Sequence, residues 1–119
     1  MDPQSGSFLP GTLEMLILKT LSRRPMHGYG IAETIRQTSA EALKVGEGSL
    51  YPALQRLLID EFVKAEWGLS ENNRKAKFYR LTPEGRRRLR HEVKAWEAYA
   101  AAVGKVLGAT RLPVPEEIG

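Results

Sequence analysis

Near the carboxyl end of this 119-residue chain, six apolar residues recur at spacings of 4, 3, 4, 3 and 4: Leu89, Val93, Trp96, Ala100, Val103 and Leu107. That is a heptad seam, and it holds its phase for nearly three repeats. Thr82-Pro83-Glu84 stands ahead of it as a helix start, with a capping hydroxyl, a proline at the first helical position and an acid in the first turn. The spacing predicts one long helix over 83–108, stopped by Gly108. Such a seam cannot rest in water, and the remainder of the chain is one small domain, too little to cover all of it. The seam is therefore expected to be the interface of a homodimer.

Ahead of that helix the period changes twice. Residues 1–11, punctuated by Pro3, Gly6, Pro10 and Gly11, read as a flexible arm. Thr12 is positioned to cap a first helix, with Glu14 in its first turn, Leu13, Leu16, Ile17 and Leu21 on one face, and Arg23-Arg24-Pro25 as its end. His27-Gly28-Tyr29-Gly30 reads as a turn into a second helix that buries Ile31, Ala32 and Ile35. A third helix is expected from a Ser49 cap, with Pro52 in its first turn and Leu50, Leu54, Leu57 and Leu58 inward. The period then becomes two: Val63, Ala65 and Trp67 alternate with Lys64 and Glu66. Lys77 to Leu81 is a second strand, with Gly68 to Ala76 as a polar loop between them. The tail, 109–119, carries Pro113 and Pro115 and reads as irregular.

Three helices, a hairpin and a long last helix make a mainly α (α+β) fold. It is a winged helix-turn-helix over 12–82, followed by a long carboxyl-terminal dimerisation helix. A helix fits the major groove of DNA, and a hairpin with basic residues can reach the neighbouring phosphates. At 100° per residue, Ser49, Pro52, Gln55 and Arg56 fall opposite the leucines of the third helix. A carboxamide and a guanidinium are the groups suited to adenine and guanine edges. The bland alternative is a solvated face that reads nothing.

Charge agrees with an anionic partner. Glu71 to Arg90 holds eight bases against two acids, a net +6, leaving −2 for the rest of a chain whose formal charge is +4. Arg74, Lys75 and Lys77 are the candidates for phosphate contact from the wing. Tyr51, at the flank of the third helix, could send its hydroxyl to a phosphate or be a half-buried core residue; Tyr29 divides in the same way. Arg86, Arg87, Arg88 and Arg90 wrap around the last helix and are expected mainly to be solvated. Trp96 is either dimer core or a stacking surface for a planar ligand, and Tyr99, one residue off the seam, could add to either.

Three blocks carry a family resemblance: His27-Gly28-Tyr29-Gly30-Ile31, Gly48-Ser49-Leu50-Tyr51-Pro52-Ala53-Leu54, and Lys77 through Gly85. In this order and at these separations the chain resembles the PadR family of bacterial transcriptional regulators, from about Leu9 to Leu107. With room for one helix after the wing, it is similar to the short subfamily. The resemblance implies a homodimeric repressor of a double-stranded inverted-repeat operator, with the third helix in the major groove and the wing on the backbone. It also implies that a small planar hydrophobic effector can enter the cleft between subunits.

Other functions find no support. Cysteine is absent, and His27 and His91 lie far apart without acidic neighbours at ligand spacing, so no metal site is expected. Gly28-Tyr29-Gly30 and Gly46-Glu47-Gly48 have Glu33 and Tyr51 where a phosphate-cradling loop needs its third glycine. No catalytic constellation stands out, and no cofactor is expected. A winged-helix adaptor for protein contacts would want an apolar or acidic reader face, unlike Ser49, Gln55 and Arg56. The longest aliphatic run is Met15-Leu16-Ile17-Leu18, and Met1-Asp2-Pro3-Gln4 lacks the order of a secretory signal. A cytoplasmic protein without a membrane partner is expected.

Overall fold

The computed structural model describes residues 8–108; most of the amino-terminal arm and the tail from 109 lie outside the described residues. The elements are α1 (Thr12–Leu21), β1 (Met26–His27), α2 (Gly28–Thr38), α3 (Glu47–Ile59), β2 (Val63–Leu69), β3 (Lys75–Leu81) and α4 (Pro83–Leu107). The three strands form an antiparallel sheet in the order β1-β3-β2. This is the winged helix-turn-helix that the order of periods predicts.

Two units divide the chain, one ending at Leu89 and one starting at Arg90. In the first, α1 is the central helix. Leu13, Met15, Ile17, Leu18 and Leu21 are all buried, so it is apolar over more of its surface than one stripe. Ile31 and Ile35 of α2, Leu50, Ala53, Leu54 and Leu57 of α3, and Val63, Tyr79 and Leu81 of the sheet complete the core. Each large aliphatic side chain buried there stabilises the fold by roughly 1.5–3 kcal/mol.

Four local expectations are corrected. Thr12 is the first residue of α1, and its hydroxyl donates back to the Leu9 carbonyl at 2.6 Å; Gly11 holds the cap position in the left-handed region, with φ of 81°. The turn before α2 begins as a strand, because Met26 and His27 pair with Tyr79 and Phe78. Ser49 does not cap α3. The Gly46 carbonyl already accepts from the N–H groups of Ser49 and Leu50, at 3.1 and 2.9 Å, so the helix is turning from Glu47. Pro52 therefore sits in the second turn, where it removes the N–H that would have bonded Gly48.

The wing is also longer in strand and shorter in loop than its composition suggests. Gly68 pairs with Ala76 and Leu69 with Lys75, leaving Ser70 to Arg74 as the connection. Ser70 N–H donates to the Arg74 carbonyl at 2.8 Å, and Asn73 N–H to the Ser70 carbonyl at 2.8 Å. Asn73 takes φ of 62°, a conformation asparagine tolerates better than most residues. Polar residues here encode a tight reversal rather than a long loop.

The start of α4 is fastened to the turn after α3. Buried Thr82 accepts from Gly85 N–H at 2.9 Å, as an amino-terminal cap should, and donates to the Glu61 carbonyl at 2.8 Å. Leu89 is only 8% exposed within this first unit, so this member of the expected seam lies in the chain's own core and offers a partner little surface. In the second unit, Val93 and Val103 are half-buried, whereas Trp96, Ala100 and Leu107 are exposed.

Candidate nucleic-acid interface

The exposed face of α3 follows from its burial. With Leu50, Ala53, Leu54 and Leu57 inward, Gly48, Tyr51, Pro52, Gln55 and Ile59 lie along the opposite side. Ser49 is half-buried at the edge of this face. Arg56 is committed elsewhere: its Nε donates to Glu14 Oε2 at 2.7 Å, tying α3 to α1. An exposed pair of this kind is worth about 0–1 kcal/mol, so an anion can compete for the guanidinium.

Tyr51 leans from this face over the beginning of α2. A Cβ placed on Gly28 would lie 2.5 Å from the Tyr51 hydroxyl oxygen and 3.0 Å from its ring. Glycine at 28 is thus needed for a close approach. Tyr51 stays about half exposed and lines a cleft. Burial raises the Tyr79 phenol above its ordinary pKa, and nearby Tyr51 adds to the shift.

That cleft, about 490 Å³, lies between the start of α2, the flank of α3 and the wing. Tyr29, Tyr51, Trp67 and Tyr79 give it aromatic walls, and Arg74, Lys75 and Lys77 give it positive charge. All three bases are exposed. Glu71 is the one carboxylate among its lining residues, and it is held by a neighbour. His27 Nδ1 accepts from Gly30 N–H at 3.0 Å and so caps α2, leaving the neutral ring's proton on Nε2. Nε2 faces Glu71 Oε1 at 3.3 Å. Hydrogen bonding to its own backbone N–H, and then to His27, holds the Glu71 carboxyl below the usual carboxylate range.

Of the predicted site residues, the fold gathers Tyr29, Tyr51, Arg74, Lys75 and Lys77 around one cleft, with Pro52 and Gln55 on the adjoining helix face. Trp96 and Tyr99 belong to the second unit. Sequence reasoning passes over Gly28, Trp67, Glu71 and the capping role of His27. Trp67 is detectable in principle, since the alternation from Val63 carries it onto the same sheet face. The reach of His27 and the space required at Gly28 depend on residues 44 and 23 positions away, which no local pattern encodes.

Among the described residues, no group of three His, Asp or Glu side chains could hold a metal ion, and no helix is long and apolar enough to cross a membrane. The model of the transcriptional regulator PadR-like family matches residues 17–91. A transcriptional regulator from Clostridium thermocellum is 29% identical and superposes with a TM-score of 0.73, over 80% of this chain and 92% of that one. A PadR family transcriptional regulator from Eggerthella lenta is 32% identical with a TM-score of 0.71, over 84% of this chain and 85% of that one. A Lysinibacillus sphaericus protein, known as uncharacterized protein X, is 31% identical over 91 residues, which cover 76% of this chain and 84% of that one.

Proposed function

The chain belongs to the PadR-like family of transcriptional regulators, and on that premise we propose that it is a homodimeric repressor that binds an inverted-repeat operator in double-stranded DNA. It is a regulator and not an enzyme. The observation that carries the DNA-binding geometry is the cationic cleft beside the exposed face of α3. In this reading Gln55, flanked by Ser49 and Pro52, reads base edges. Tyr29, Tyr51, Arg74, Lys75 and Lys77 hold phosphates, and Arg56 exchanges Glu14 for DNA. Phosphate contacts fix register and contribute affinity, whereas base contacts specify sequence. The direct test is a gel shift on the DNA upstream of the protein's own gene, against a scrambled duplex. Equal retention of both would refute sequence-specific binding.

The second copy is supported by the apolar residues along the last helix. Val93, Trp96, Ala100, Val103 and Leu107 repeat in heptad phase, and a seam of this kind is covered by its counterpart. Light scattering at micromolar concentration should give twice the 13.3 kDa chain mass. A mass of one chain would contradict the dimer. A planar hydrophobic effector would stack on Trp96 and Tyr99 between the copies and shift the affinity for the operator.

Gly28→Ala separates the clamp from the fold. The new methyl displaces the outer end of the half-exposed Tyr51 side chain, so the unfolding midpoint should change little. Affinity for any duplex should fall by about 1.5–3 kcal/mol, the worth of a hydrogen bond to a charged group. Unchanged affinity on duplex titration would remove Tyr51 from the phosphate contacts.

A further inference from the structure

The wing carries an apolar surface that a purely electrostatic clamp does not require. Along β2, the side chains of Val63, Ala65, Trp67 and Leu69 share one face of the sheet, opposite Leu81, Tyr79, Lys77 and Lys75 in register. The first of these pairs lie in the core. The last two leave it: Trp67 is 64% and Leu69 65% exposed. Trp67 lines the cleft, and Lys75 Nζ stands 5.1 Å from the centre of its ring. An indole and two ammonium groups thus share one surface that faces the same space as Tyr51.

We infer that Trp67 is a DNA-contact residue whose indole packs on the sugar-phosphate wall of the duplex while Lys75 and Lys77 neutralise its charge. This rests on the reading of the cleft as a DNA clamp and names a component of it that is independent of charge. Three observations favour nucleic acid as the occupant. The cleft holds three exposed bases, its one carboxylate is tied to His27, and its aromatic walls offer flat surface to sugars. A deoxyribose edge is apolar and lies between phosphates, so it suits a tryptophan set beside lysines. Held against Lys75, the ring also orders that ammonium group.

Charged and apolar groups at such a surface respond differently to salt. Releasing counterions makes affinity fall with log salt in proportion to the phosphates neutralised, whereas packing of an indole releases none. The experiment is a titration of a random-sequence duplex at several salt concentrations, using the full chain and its Trp67→Ala, Trp67→Phe and Lys75→Gln variants. Trp67→Ala should weaken binding about tenfold at every salt concentration, the loss typical of an aromatic anchor. Its plot of log affinity against log salt should run parallel to that of the parent. Trp67→Phe should retain most of the affinity, and Lys75→Gln should flatten the slope.

The fluorescence of Trp67, taken as the difference between the parent and Trp67→Phe, should also change on adding duplex. Full affinity in Trp67→Ala, with Lys75→Gln still defective, would overturn the inference and leave the wing a charge clamp. A slope flattened as in Lys75→Gln would also overturn it, because Trp67 would then act only through the lysine. If the lysine variant too bound like the parent, the clamp reading itself would fall. An unfolding midpoint for each variant excludes loss of fold, which the exposure of Trp67 makes a small risk.

Discussion

Gly85→Ala should destabilise the protein by about 3 kcal/mol, at the upper end of what overpacking usually costs. Helix propensity predicts the opposite sign: alanine inside a helix is better than glycine by about 1 kcal/mol. Geometry decides between them. A Cβ on Gly85 would fall 2.1 Å from the Phe62 carbonyl oxygen and 2.8 Å from Leu81 Cδ1. The first obstacle is backbone, held in place because Phe62 O also accepts from Thr82 N–H at 3.1 Å. It cannot swing aside as Tyr51 can from Gly28. For a domain of this size the thermal midpoint should fall on the order of 15 °C. Glu84→Ala, which removes an exposed pair with Arg87 and the acid of the first turn, should cost no more than about 1 kcal/mol. A Gly85→Ala midpoint at or above the parent's would show that the start of α4 does not seat against the turn after α3.

The contrast between these two glycines marks what a sequence can and cannot express. Among the described residues, periodicity identifies each helix and both wing strands, because burial on one face imposes a period on apolar residues. Thr82-Pro83-Glu84 is legible as a helix start because a cap is a local hydrogen bond. Less legible is what a residue meets once the chain has folded. Ser49 has the chemistry of a cap, but Gly46 already supplies the carbonyl that starts α3. Arg56 lies on the polar side of its helix, but its partner, Glu14, is 42 residues away. Leu89 keeps the heptad phase yet is claimed by the core of its own winged unit. At the site, the bases of the wing are visible as charge, whereas their aromatic companions look like strand residues. Only the register of β2 against β3 shows that Trp67 stands beside Lys77 and past the edge of the core.

Neutralising Lys75 and Lys77 together, as Lys75→Gln and Lys77→Gln, should weaken operator and random duplex alike. Both side chains are exposed on β3 and line the cleft, so their removal costs the fold little. Each phosphate that is no longer neutralised lowers the slope of log affinity against log salt by about one, so for a dimer the slope should drop by up to about four. Specificity, the ratio of operator to random affinity, should stay where it was, because phosphates carry no sequence information. Gln55→Ala should do the reverse. It should cost about 1–3 kcal/mol per half-site on the operator if the carboxamide reads a base, cost less on random DNA, and leave the salt slope alone.

Whether α3 reads sequence while the wing holds the backbone is decided by titrating operator and scrambled duplexes across a salt series with three proteins: the parent, the double lysine variant and Gln55→Ala. The division of labour proposed for helix and wing requires a shallower salt slope with unchanged specificity for the lysine pair, and reduced specificity with an unchanged slope for Gln55→Ala. A lysine pair that altered specificity, beside a Gln55→Ala variant that kept it, would exchange the roles of helix and wing and refute that division.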